Sequence, residues 1–136
     1  MIREICRDTR FLKRKSIPAT EHDTEVIQDL RDTLRANRGR CVGMAANMIG
    51  VNKRIIIFSN GMLDVVMVNP KITAKAGAFR TEEGCLSLSG TRKCTRFERI
   101  TVEYLDSSFQ PKTGSFSGFT AQIIQHECDH LEGIII

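Results

Sequence analysis

Apolar residues recur with two different periods along this chain. From Asp23 to Asn37, Val26, Ile27, Leu30 and Leu34 fall on one stripe while Glu25, Asp32 and Arg35 point elsewhere, which predicts an amphipathic helix. Asp23 or Thr24 can cap its start, and Gly39 suits its stop. A second helix is predicted from about Phe119 to Glu132, closed by Gly133. Between the two helices the period shortens. Arg54 to Phe58 holds three consecutive isoleucines, Asp64 to Val68 is valine-rich before Asn69-Pro70, and Lys71 to Lys75 can continue after the proline. Within Thr95 to Asp106, Ile100, Val102 and Tyr104 alternate with Thr101 and Glu103, as in a half-buried strand.

The remaining segments carry no clear period. Residues 1–22, with Pro18 and a basic run, read as irregular. Gly43 to Gly50 is rich in small residues bounded by glycines and reads as a tight loop plus a short helical turn, with backbone approaching something closely. Ser107 to Gly118 reads as turn, and Ile134 to Ile136 as a short apolar strand. No repeat or linker interrupts the order helix, several strands, helix. The expected fold class is therefore α+β, with mixed or antiparallel β-sheets around the C-terminal helix, in a single domain spanning 1–136.

Charge and composition narrow the function classes. Net charge is +4 and spread over small basic clusters, which read as solvated surface. One Tyr and no Trp give no stacking platform for nucleic acid, so no specific nucleic-acid partner is expected. No stretch approaches the roughly 18 apolar residues of a membrane helix. Five cysteines, an odd count, follow a charged N-terminus without an apolar signal region. A reducing cytoplasm is the expected location, with thiols free or metal-bound.

The densest chemistry lies in Gln125-His126-Glu127-Cys128-Asp129-His130, an H-E-x-x-H motif on the second helix. His126 and His130 stand one turn apart on one face and can ligate the same ion. Glu127 is offset by about 100° from His126, so it can reach a water beside the ion without being a ligand. Only Glu132 offers a ligand further downstream, so the third is expected upstream. Cys85, in the glycine-flanked Glu83-Gly84-Cys85-Leu86-Ser87, is the best candidate. One thiolate and two imidazoles leave a tetrahedral ion one open position. Cys128 falls on another helical face and is expected in the core, and His22 in solvent.

These residues resemble the peptide deformylase family. Glu83 to Ser87 matches its E-G-C-L-S segment, and Gln125 to Leu131 its Q-H-E-x-D-H-L helix. Cys41 to Met48 matches its glycine-rich G-x-G-x-A-A-x-Q loop in part. The resemblance implies hydrolysis of the N-formyl group from the initiator methionine of nascent chains, releasing formate. It implies a divalent metal on Cys85, His126 and His130, natively Fe2+, with Zn2+, Ni2+ or Co2+ as replacements. It further implies that Glu127 takes a proton from the attacking water and later delivers one to the leaving amine, while the Leu86 N–H stabilises the oxyanion. Val42 and Gly43 match backbone positions that pair with the extended peptide. Phe119 and Ile123 match the methionine pocket, and Arg92 a basic position near the peptide's far end. N-formyl-methionyl peptides are the implied partners, and a transient ribosome contact is left open.

The match fails in specific places. Met48 replaces the glutamine whose amide donates to the formyl oxygen, and methionine has no N–H to offer. Cys41 replaces the first glycine of the loop, and Ser89 stands where many members have proline. Three readings compete: a deformylase with an altered oxyanion hole, a hydrolase of the same fold with another amide substrate, and a non-catalytic metal- or peptide-binding protein. Retention of Glu127 argues against the third, because a purely structural site has no use for a base beside an open position.

Overall fold

Residues 1–135 are described in a computed structural model. The N-terminal segment, read as irregular, carries one helical turn, α1 (Thr9–Leu12), with Asp8 accepting from the Arg10 N–H at its start. Further on, a 3-10 turn (Glu21–Asp23) is closed by a capping box between Thr20 and Asp23. Helix α2 follows directly (Thr24–Ala36). Thr20, rather than Asp23 or Thr24, thus makes the side-chain cap, because the chain enters α2 through the tighter turn. The helix stops at Ala36, and Gly39 takes its positive φ of 96° three residues later.

Five strands form one antiparallel meander: β1 (Gly43–Ala45), β2 (Ile55–Ser59), β3 (Asp64–Cys85), β4 (Leu88–Leu105) and β5 (Pro111–Ser117). Each pairs with its sequence neighbours, in the order β1-β2-β3-β4-β5. Two isolated parallel bridges, Ile17 with Lys53 and Arg38 with Cys41, lie outside the sheet. The predicted strands at 54–58, 64–75 and 95–106 fall on β2, β3 and β4 to within one residue, but β3 and β4 run much further than their apolar patterns. A straight strand of β3's length would span about 70 Å. Register shifts at Val68/Lys71, Ile72/Ala74 and Gly84/Cys85 bend it instead. At the first, Asn69 sits at a φ of 51°, and its amide bonds both the N–H and the C=O of Ala19.

Two further segments depart from the sequence reading. Gly43–Ala45, placed in a loop, is the edge strand β1, with a 3-10 turn (Ala46–Ile49) after it. Pro111–Ser117, read as turn, is the opposite edge strand. It has little apolar alternation because its side chains are mostly exposed, and Pro111 occupies the first strand position, where a missing N–H is tolerated. Helix α3 (Gly118–Leu131) follows. Ile134 and Ile135 form no strand, and Ile136 lies outside the described residues.

The three consecutive isoleucines explain how the sheet holds two cores. Alternate residues of a strand face opposite sides. Ile55 and Ile57 pack with Leu30 and Leu34 of α2 and with Met48, while Ile56 and Phe58 pack with Ile123, Ile124 and Leu131 of α3. Ile55, Ile56, Ile57 and Phe58 are essentially fully buried. Each such side chain contributes about 1.5–3 kcal/mol by leaving water. The second core clamps α3 onto the sheet and so fixes the helix that carries His126 and His130.

Candidate metal centre and catalytic cleft

Helix α3 and the β3–β4 hairpin meet at the site. Cys85 ends β3 and pairs with Leu88 across a two-residue turn, so the segment read as a loop is a tight hairpin tip. Its Sγ accepts the Ser87 N–H at 3.4 Å, which orients the thiol. Cys85, His126 and His130 bring their ligand atoms within 4.8 Å of one another. The two Nε2 atoms face each other at 3.0 Å. Two imidazole lone pairs cannot sit so close unless a proton or a cation lies between them. One thiolate and two imidazoles converging in this way fit a divalent metal with a position left open.

The imidazole of His126 is held from behind. Its Nδ1 lies 2.7 Å from Glu83 Oε1. Glu83 in turn accepts from Arg96 at 2.7 Å and from Gln122 at 2.8 Å, and Arg96 also donates to Asp129 at 2.7 Å. Such a carboxylate partner leaves Nε2 free to ligate and raises its basicity. Burial works against the Glu83 carboxylate, but its hydrogen bonds from His126, Arg96 and Gln122 outweigh this and hold it down at about 2. Burial likewise opposes a charged His126, and bonding to Cys85 and Glu83 outweighs it, lifting the imidazole to about 10. His130, buried beside that charge, is pushed down to about 3. Metal and protons compete for these atoms, so a bound cation displaces the proton from His126.

Glu127 differs from the other acid. It is buried, and its Oε1 has no hydrogen-bond partner. Burial raises its carboxyl to about 7, with nearby His126 pulling the other way. A free carboxyl poised near neutrality is suited to taking and returning protons.

A cavity of about 950 Å³ opens over these groups. Val42, Gly43, Met48, Leu86, Phe119 and Ile123 all line it, together with Cys85, His126 and Glu127. Phe119 and Val42 are exposed at its mouth, whereas Ile123 is buried. A Cβ at Gly43 would lie 2.9 Å from Ile123 Cγ2 and 3.0 Å from Glu127 Oε2, so only glycine lets β1 approach α3 this closely. Met48 is buried, and its sulfur accepts the Ala45 N–H at 3.4 Å. It therefore offers no donor to the cavity.

Arg92 is not brought to this cavity. It lies half-buried on β4 opposite Glu83, and Arg7 and Arg40 supply the cations of the lining instead. The two-residue turn between β3 and β4 sets this register. Cys128 packs against the core as expected, with burial raising its thiol to about 12, and His22 is exposed. Glu83, Gln122, Asp129 and Arg96 escaped the residue-by-residue reading. Glu83 and Asp129 do lie inside the two matched segments, but nothing in the spacing of Arg96 signals that it joins them.

A sequence model described as Polypeptide deformylase matches residues 2–136. A peptide deformylase from Clostridium beijerinckii is 59% identical over the whole of both chains. The chain belongs to the peptide deformylase family. This deformylase shares its fold with that of Legionella pneumophila, at 33% identity and a TM-score of 0.89, over 99% of this chain and 83% of the other. Its backbone matches equally well a Met-Ala-Ser-bound class I type b peptide deformylase from Acinetobacter baumannii, with a TM-score of 0.89 at 29% identity, over 99% and 97% of the two chains. It is thus a hydrolase that removes formyl groups from peptides. Among the described residues, no helix of this deformylase is long and apolar enough to cross a membrane.

Proposed function

We propose that Cys85, His126 and His130 hold a divalent metal, natively Fe2+, and that Glu127 is the general base and acid in deformylation of N-formyl-methionyl peptides. When bound, the cation supplies Lewis acidity toward water and the developing oxyanion. Glu127 accepts the proton of the attacking water at its unpartnered Oε1 and returns one to the leaving amine. Water adds to the formyl carbon, the C–N bond breaks, and formate and a free amine leave. The Leu86 N–H stabilises the oxyanion.

The peptide runs extended along Val42 and Gly43. β1 is a sheet edge, and an added strand can take its free backbone groups. Phe119 and Ile123 receive the methionine side chain between mouth and floor of the cavity. The Met-Ala-Ser peptide held by the Acinetobacter baumannii relative has the same chemistry as the product of this reaction. The substrates are nascent chains in the cytoplasm, and a transient contact with the ribosome is left open.

The observation that carries this reading is Glu127, buried and unpartnered beside three converging ligands. The test is formate release from a formyl-Met tripeptide by anaerobically purified, iron- or nickel-loaded protein. Turnover that disappears in Glu127→Ala with metal still bound is expected. No turnover by the fully loaded wild type would instead favour another amide substrate or a binding role.

A further inference from the structure

The oxyanion hole of this chain has lost one side-chain donor at Met48, which leaves more of the task to the Leu86 N–H. What holds Leu86 in place therefore matters more here. Two successive residues of the N-terminal segment reach both walls of the cleft. The Cys6 N–H donates to the Met48 carbonyl at 2.7 Å. The Arg7 Nη1 donates to the Leu86 carbonyl at 3.1 Å and more weakly to the Ser87 carbonyl at 3.4 Å. Residues 6 and 7 thus form a bridge between the turn that carries Met48 and the hairpin tip that carries Cys85 and Leu86. Arg7 is exposed and also lines the cavity. Glu82, which lines the same cavity, is not among its hydrogen-bond partners.

We infer that Arg7 is a positioning residue for deformylation: by gripping the Leu86 and Ser87 carbonyls it fixes the hairpin tip, and with it the preceding Cys85–Leu86 peptide, whose N–H faces the reacting carbonyl. This rests on the deformylase reading of the cleft. A guanidinium suits the role because its fixed donors can hold two neighbouring carbonyls and it stays charged at any working pH. A hydrogen bond from a charged donor is stronger than a neutral one, so its loss should be felt even at an exposed position. The turn is otherwise restrained by the Ser87 N–H bond to the Cys85 sulfur and by the Cys85–Leu88 pairing at its base.

The test compares Arg7→Ala and Arg7→Lys in two backgrounds, Met48 and Met48→Gln, using metal-loaded protein and a formyl-Met tripeptide. Arg7→Ala is expected to lower kcat by about tenfold, the scale of one lost interaction in the transition state, with KM and metal content nearly unchanged. Arg7→Lys is expected to recover most of this. In the Met48→Gln background the loss is expected to shrink to about two- to threefold, because a second donor shares the oxyanion. Amide hydrogen exchange at Leu86 and Ser87, measured with and without metal, is expected to quicken in Arg7→Ala while α3 stays protected. A change in KM alone would make Arg7 a peptide contact and overturn the inference. Equal losses in both backgrounds, or unaltered exchange at Leu86, would overturn it as well. Wild-type turnover with an unaffected Arg7→Ala removes only this inference, whereas an inactive loaded wild type removes the deformylase reading and this inference with it.

Discussion

Met48 stands where the glycine-rich loop motif that this chain resembles carries a glutamine. Its side chain is turned to backbone, with the sulfur on the Ala45 N–H, so it presents no amide donor to the cavity. Removing one oxyanion donor typically costs about 10²–10³ in kcat. Met48→Gln is therefore expected to raise kcat/KM on a formyl-Met tripeptide by at least tenfold, and steady-state kinetics of the two proteins decide it. An unchanged or lower value would mean that another group already supplies the donor. For Glu127, unlike Met48, the place beside the histidine pair was legible from sequence. A carboxylate directly after the first histidine of the pair must lie to one side of the ligands. Its lack of any partner was not legible, since that depends on what the fold leaves around it.

At the scale of elements, the site is a junction between the β3–β4 hairpin and α3. Glu83 is the link, bonding His126 on the helix and Arg96 on the neighbouring strand. Glu83→Gln keeps the shape and removes the charge. Metal affinity is expected to fall by about 10- to 100-fold, the usual cost of losing a carboxylate behind a ligating histidine, as metal-competition titration would read. Against the opposing effect of burial, the hydrogen bonds from His126, Arg96 and Gln122 hold the Glu83 carboxyl down at about 2, below its ordinary 4.5, so its contribution to stability is present above about 4.5 and is lost as pH falls toward about 2. The thermal midpoint of metal-free wild type should thus fall over that window more steeply than that of Glu83→Gln. Equal slopes would mean that Glu83 is not held as an anion. The helices and central strands were readable because their apolar periods are strong. The edge strands β1 and β5 were not, because one is three residues long and the other exposes most of its side chains.

Across the whole molecule, β2 divides the apolar interior into two cores with different duties. Leu30→Ala would open a cavity on the α2 side, and Ile56→Ala one on the α3 side. Each is expected to cost about 2–5 kcal/mol in chemical denaturation. Only Ile56→Ala should also weaken metal binding, since its core clamps the helix that carries His126 and His130. Equal metal affinities in the two variants would show that α3 keeps its place without that packing. The H-E-x-x-H pairing, the glycine-flanked cysteine and the α+β order were determined by sequence alone, because helical geometry joins residues four apart wherever the helix forms. Tertiary structure decided the rest. Joining Cys85 to two histidines more than forty residues away, seating Arg96 against Glu83 and Asp129, and laying Arg7 across the hairpin tip all depend on strand register and on how α3 packs. Those distances are set by the bulges of β3, the turn at Leu86–Ser87 and the second core acting together, and no local pattern encodes them.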